Sequence, residues 1–422
     1  MLVITLALRN ILRNRRRSIL TILSMGGGYL LLSFMMAMTE GSYSNMIDLF
    51  TRDHTGHIQI HHSNYLNRPS LYKTINHSSE LINELQKSSI IKGIAPRVYA
   101  PSLAYGKDKT FPASVIGIEP SLEAGTTYLK NKVKQGEYLT NGMTPNGYFP
   151  AMIGHTLAKN LHLEIGDELV LISQGIDGSI ANDIFEISAI VGTSESYERM
   201  NVYLSIDAIH QFLSMGDQVH ELAIRLSHQD EARPYAQQLQ AQFNQHSSSE
   251  NGHNVLNNSS DLNAKPWQVV EEAFYKGMQA DKQGNYLSMG ILIFIVSIGV
   301  LNTILMGILE RTREFGVLKA IGTRPMAVFR LIMLESFLLA VASCLFGLIF
   351  ALPANLWLSR VGITLPEPID MGGIAFETML GEISMFSMGV PALVVIGSTL
   401  LVSLIPGIRA SRISPLQALQ AA

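Results

Sequence analysis

The sequence predicts an α-helical membrane protein with four transmembrane helices and a large mixed α/β domain outside the bilayer. Three observations predict it. The 422 residues are 47% hydrophobic and only 15% charged, richer in apolar and poorer in charged residues than a typical soluble chain. Four apolar stretches are long enough to cross a membrane. Between the first and second of them, about 245 residues alternate short strand and helix patterns, enough to bury a core of their own.

Residues 1–17 bring Arg9, Arg13, Arg15, Arg16 and Arg17 without an acid and read as a cytoplasmic interfacial helix. Residues 18–38, SILTILSMGGGYLLLSFMMAM, make the first span. At helical rise they reach about 31 Å, matching a hydrocarbon core of about 30 Å. The stretch exceeds the roughly 7–15 apolar residues of a signal peptide, and no small-x-small cleavage site follows it. Gly26-Gly27-Gly28 would let another helix approach closely, or let this one bend. The remaining spans are read at 286–309, 327–351 and 384–406. Cys344 is the one cysteine. It excludes an intrachain disulfide and cysteine-based zinc sites, and reads as a small buried hydrophobe.

Charge orients the spans. Segment 310–326 holds Arg311, Arg313, Lys319 and Arg324 against Glu310 and Glu314, and the tail 407–422 holds Arg409 and Arg412. Loop 352–383 is acidic, with Glu367, Asp370, Glu377 and Glu382 against Arg360. Basic segments stay in the cytoplasm, so both termini and 310–326 are expected there and 39–285 outside. The net charge of −3 offers no basic field for nucleic acid.

Within 39–285, HIQIHH, FPASVIGIE, DELVLISQG, FEISAIVGT, NVYLSI and ELAIRL read as strands. SSELINELQKS, IGHTLAKNLHL, SIDAIHQFLSM and EARPYAQQLQAQFNQ read as helices. HSSSENGHNVLNNSSDLNAKP reads as a polar loop. After it, Trp267, Val270, Phe274 and Met278 recur at helical spacing, as in an amphipathic stalk entering the second span. Glu271-Glu272 read as a solvated helix face.

RDHTGHIQIHHSNY, Arg52–Tyr65, gathers His54, His57, His61 and His62. On a strand, His57, Gln59 and His61 share one face, while Ile58, Ile60 and His62 share the other. Zinc wants three or four convergent ligands, so the run is read as the first strand of the external domain, with no metal site. There is no GxxxxGK[ST] loop, GxSxG or HExxH. No catalytic residue is expected, and ATP hydrolysis is not expected of this chain.

Two polar residues fall inside spans. Glu335 lies roughly 12 Å into the third, where a carboxylate is normally paired or wetted. Asn302, in the second, can hydrogen-bond across helices. The stretch Asn302–Ser336, NTILMGILERTREFGVLKAIGTRPMAVFRLIMLES, reads as a helix leaving the membrane, a turn, and a helix returning. Phe315, Leu318 and Ile321 make an apolar stripe beside polar Arg311, Arg313 and Lys319, and Glu310 can pair with Arg313 at i, i+3. Gly322 and then Arg324-Pro325 stop and restart the helix. Such a segment suits docking in a groove of a soluble partner.

ERTREFGVLKAIG resembles the coupling-helix signature of the MacB, FtsX and Lol superfamily of ABC transporter permeases. ALRNILRNRRRSILTIL resembles that superfamily's N-terminal helix and first span. VIGIEPSLE, IGHTLAKNLHLEIGDELVLIS, FEISAIVG and VYLSIDAIHQFL resemble its MacB-like periplasmic core, and LIPGIRASRISPLQALQ its tail. The resemblance covers nearly the whole chain. It implies a non-catalytic inner-membrane subunit with no cofactor of its own. ATP and Mg would sit on a separate ABC ATPase dimer, and a second copy or paralogous permease would complete the membrane part. Glu310, Arg311, Arg313, Glu314, Phe315, Leu318, Lys319 and Gly322 would then lie at the ATPase interface, and Asn302 and Glu335 would serve structure or coupling.

The layout, and PWQVVEEAFYKGMQADKQGNYL, most resemble the Lol (lipoprotein-releasing) permeases. That implies extraction of lipoproteins or other amphipathic, lipid-anchored cargo from membrane lipids to a periplasmic carrier. The alternatives are a MacB-like permease of a tripartite efflux system with a periplasmic adaptor, and an FtsX-like regulator of a cell-wall hydrolase. A carrier-docking loop is not identifiable; the nearest candidate is Gly147-Tyr148-Phe149-Pro150.

Overall fold

The computed structural model describes residues 7, 9–11, 13, 15–246, 261–370 and 375–413. Residues 1–6, 8, 12, 14 and 371–374, the polar run 247–260 and the tail 414–422 lie outside the described residues, and with them parts of the expected interfacial helix, polar loop and cytoplasmic tail. Four helical segments are long and apolar enough to cross a membrane: Ser18–Thr55, Glu272–Glu310, Pro325–Arg360 and Met385–Arg412. Each overlaps one of the four expected stretches. The helix Arg15–Phe50 closes on a π-helical turn, Thr51–Thr55, with Gly56 at φ 69° ending it. Pro325 occupies the first turn of its helix, where its missing N–H is not needed. Ser384 and Ser387 form a capping box on the helix Met385–Arg412.

The chain forms two compact units. One holds 1–45, 277–367 and 377–422; the other holds 46–276 and 368–376. In the first, Met25, Tyr29, Leu32, Val300, Ala340 and Val395 belong to one buried cluster, and Cys344 is buried there as well. Glycines set the helix spacing. A Cβ on Gly347 would press on the Gly26 carbonyl and the Tyr29 ring, and one on Gly28 would press on Val296. Gly27 meets nothing. A short polar relay also crosses three helices: Asn355 Nδ2 donates to Ser33 Oγ at 3.0 Å, and Ser33 Oγ donates to the Ser387 carbonyl at 3.1 Å. In an apolar medium such bonds favour one helix arrangement over its alternatives.

The second unit is a mixed α/β domain. Its strands are β1 Ile58–His62, β2 Ile75–Asn76, β3 Ile91–Tyr105, β4 Thr110–Ile118, β5 Val133–Gly136, β6 Phe149–Gly154, β7 Glu168–Gln174, β8 Ile180–Val191, β9 Asn201–Ser205, β10 Gln218–Val219, β11 Glu221–Leu226 and β12 Leu262–Pro266. The main sheet runs β12-β1-β11-β3-β4-β9-β6-β8-β5, with β7 pairing both β3 and β8. The pairings β3-β4-β9-β6-β8-β7 therefore return to β3 and close a ring. A closed ring leaves no free sheet edge along its circuit.

One sequence reading changes here. Leu262–Pro266, read as loop, is β12 and pairs antiparallel with β1. β1 is thus paired along both edges, with β11 and β12, and its residues 58–61 are buried on both faces. Gly147–Pro150 lies where a tight turn at Thr144–Tyr148 leads into β6: Gly147 is exposed and Pro150 buried. Among the described residues no group of three His, Cys, Asp or Glu side chains is placed to hold a metal.

The histidines are interior parts of this core. His57 Nδ1 accepts the Leu226 N–H at 3.0 Å. His61 Nδ1 meets the His220 carbonyl at 3.1 Å and its ring stacks on Tyr65. His220 accepts the Tyr99 N–H at Nδ1 and donates from Nε2 to the Leu71 carbonyl, both at 3.0 Å. Burial pushes His57 down to about 4 and holds His61 and His220 below their ordinary value.

The sign follows from linkage. Below about pH 6.5 the unfolded chain binds a proton at His57 that the folded chain refuses until about pH 4, so stability is full above pH 6.5 and drains as pH falls. His57 alone removes about 2 kcal/mol by about pH 5 and about 3 kcal/mol in all. Hydrogen exchange from β3 and β11 in the whole chain at pH 7.5 and pH 5 measures this. His57→Gln is expected to flatten the pH dependence by that amount, and an unaltered dependence would contradict the assignment.

Candidate functional site

The site is built from the segment that joins the second and third long helices. Helix Glu272–Glu310 ends at Arg311, whose backbone (φ −109°, ψ 11°) breaks the helix before a short one, Thr312–Ala320. The short helix closes in a Schellman motif: Gly322 N–H donates to the Lys319 carbonyl and Thr323 N–H to the Leu318 carbonyl, both at 3.0 Å. Gly322 sits at φ +100°, where a side chain would be strained. Arg324 is extended, and Pro325 opens the next helix.

Arg311 turns inward. Its Nη1 donates to both carboxylate oxygens of Glu335, at 3.0 and 2.8 Å, and its Nε donates to Glu314 Oε2 at 3.0 Å. Arg311 is 6% exposed and Glu335 7%. The guanidinium also lies 5.2 Å from the centroid of the Phe315 ring. Phe315 itself is buried with Ile308, Val328, Ile332 and Ala410. Glu314 extends the network outward to Arg13. Lys319 Nζ donates to the carbonyls of Ser411 (2.9 Å) and Ile413 (2.6 Å) at the end of the last long helix, where a cation complements the helix dipole.

These contacts divide the eight residues named from sequence. Arg311 and Phe315 face the interior, Lys319 anchors the last helix, and Gly322 terminates the short one. Glu310, Arg313, Glu314 and Leu318 are exposed. The expected single stripe of Phe315, Leu318 and Ile321 is split: Phe315 is 2% exposed and Ile321 79%. An i, i+3 ion pair joins Arg311 to Glu314, and Arg311 is held in place by Glu335 as well. The outward apolar face is Val317, Leu318 and Ile321. Asn302 is exposed on its helix. Arg13, Val317 and the Ser411 and Ile413 carbonyls were not singled out from sequence; only the basic run preceding the first span hinted at Arg13.

Residues 18–242 match the family described as the MacB-like periplasmic core domain, and residues 286–415 match the FtsX-like permease C-terminal family. The chain belongs to the MacB/FtsX-type permeases. Among curated relatives, this permease is 23% identical over 352 residues to the lipoprotein-releasing system transmembrane protein LolC of Xylella fastidiosa, covering 78% of each chain. It is 24% identical over 255 residues to the pyoverdine export ATP-binding/permease protein PvdT of Pseudomonas syringae, covering 60% of this chain but only 37% of that protein. The periplasmic region of MacB from Actinobacillus actinomycetemcomitans aligns at 14% identity and TM-score 0.36, covering 52% of this permease and 92% of that structure.

A buried ion pair that loses one partner leaves an uncompensated charge, which costs about 3–5 kcal/mol, whereas replacing both partners by apolar residues is often neutral. Arg311→Met and Glu335→Leu should therefore each lower the stability of the detergent-solubilised permease by about that much. The double variant should recover most of the loss. Additive losses in the double variant would show that the two residues do not form one unit.

Proposed function

We propose that this permease carries ATP-driven motion across the inner membrane to its external domain and uses it to lift lipoproteins, or other lipid-anchored cargo, out of the bilayer. A separate ABC ATPase dimer would supply the motion, and a second copy or a paralogous permease would complete the membrane unit. Both termini and the segment 310–326 would face the cytoplasm.

The observation that carries the reading is the anchored segment 311–322. Its inner face is fixed to the third long helix by Arg311–Glu335 and to the last by Lys319. Its outer face presents Val317, Leu318 and Ile321. A short helix locked on one side and apolar on the other suits reception of a push from a soluble partner. Likeness to LolC over 78% of both chains supports lipoprotein cargo over other cargo. Likeness to PvdT supports the second reading, efflux of a small molecule through a periplasmic adaptor.

The test is reconstitution of the permease with its ATPase in proteoliposomes carrying a fluorescent lipoprotein. ATP is expected to release the lipoprotein to a soluble acceptor. Hydrolysis without release would overturn the extraction reading and favour efflux.

A further inference from the structure

Two roots of long helices meet within the external unit. One is the π-turn Thr51–Thr55, which ends the helix Arg15–Phe50. The other is Glu271, whose backbone (φ −109°, ψ 56°) separates the short helix Trp267–Val270 from the long helix Glu272–Glu310. The sequence reading placed Glu271 with Glu272 on a solvated face. Only Glu272 is so placed, paired with Lys276; Glu271 turns to His54. His54 lies between two carboxylates, one from each root: Nδ1 is 3.2 Å from Asp53 Oδ2, and Nε2 is 3.6 Å from Glu271 Oε1. Its ring stacks on Tyr197 at 4.1 Å and meets Phe50 edge-on, while Phe50 stacks on Phe274 at 3.9 Å. The two roots are thus in contact through aromatic rings as well as charge.

We propose that His54 is a proton-operated clasp that ties these two roots together when charged and loosens them when neutral. An imidazolium donates from both nitrogens and can satisfy both carboxylates at once. A neutral ring donates to one and turns a lone pair toward the other, which repels it. The surrounding charges leave this role to His54. Asp53 is also held by Lys132, which reaches Glu198. Arg97 donates to the His54 carbonyl and is itself committed to Glu123 at 2.7 Å and Glu221 at 2.8 Å. Tyr99 donates to Glu221, and one turn back Arg52 faces Asp48.

Burial alone would lower the His54 pKa, but Asp53 and Glu271 outweigh it and hold it above its ordinary value. The ring keeps 22% of its surface open, so protons can exchange. The clasp is therefore closed below the raised pKa and opens as pH rises through it. Its contribution to stability runs opposite to that of His57.

Hydrogen exchange of amides 267–276 in the whole permease in nanodiscs tests this, with intrinsic rates corrected, from about pH 6 to about pH 8.5. Wild type is expected to lose protection severalfold across that range. His54→Gln should show the low-protection level at every pH. Glu271→Gln, which keeps the histidine, should shrink the step and move it to lower pH. A flat wild-type profile, a step that survives in His54→Gln, or an unchanged step in Glu271→Gln would each overturn the proposal.

Discussion

The ion pair in which Arg311 Nη1 donates to both carboxylate oxygens of Glu335 is the interaction on which the membrane unit depends. Each charge alone would be expensive in an apolar surrounding, and each is tolerated because the other is there. The bond fixes where the second long helix ends. It aims Phe315 into the buried cluster with Val328 and Ile332, and leaves Val317, Leu318 and Ile321 on the opposite side. Arg suits this place better than Lys would, since one terminal nitrogen, Nη1, meets both carboxylate oxygens of Glu335 while Nε of the same rigid group reaches Glu314.

The external unit obeys a comparable constraint. Its strand β1 is buried on both faces, so polar side chains on it must find interior partners. His57 and Gln59 do so: His57 accepts from Leu226, and Gln59 donates to Thr55 and Glu221. Buried neutral histidines of this kind rigidify a core and make it acid-sensitive. His54, at the rim of the same region, has the opposite electrostatics because two carboxylates face it. Two histidines three residues apart thus respond to pH in opposite directions, for reasons of position alone.

Much of the fold was legible in the sequence. The four long helices announce themselves by apolar length, and strands such as β4, β7, β9 and β11 by β-branched alternation. The longest strand, β3, was not read, because Gly93, Pro96 and Pro101 break the pattern and proline normally marks a strand as peripheral. β12 was hidden in a polar run: Asn263 and Lys265 gain their place from pairing with β1 rather than from hydrophobicity. Between the second and third long helices, Gly322 and Pro325 were readable because their backbone geometry is local. Glu335 was recognisable as a residue needing a partner, but its partner was not, because Arg311 lies 24 positions away and spacing along one helix cannot show a contact between two. Phe315 and Ile321 fell into one stripe, although six helical residues set them about 120° apart and Ile321 lies past the last residue of the short helix.

Under the proposed function, the Arg311–Glu335 bond makes the segment 311–322 and the third long helix move as one piece. The most direct measurement uses Glu335→Gln permease, assembled with its ATPase and carrying a pair of spin labels in the external domain. ATP turnover and the ATP-induced change in label distance are recorded on the same sample. The account predicts that turnover persists while the distance change is lost. A full distance change in Glu335→Gln would contradict it.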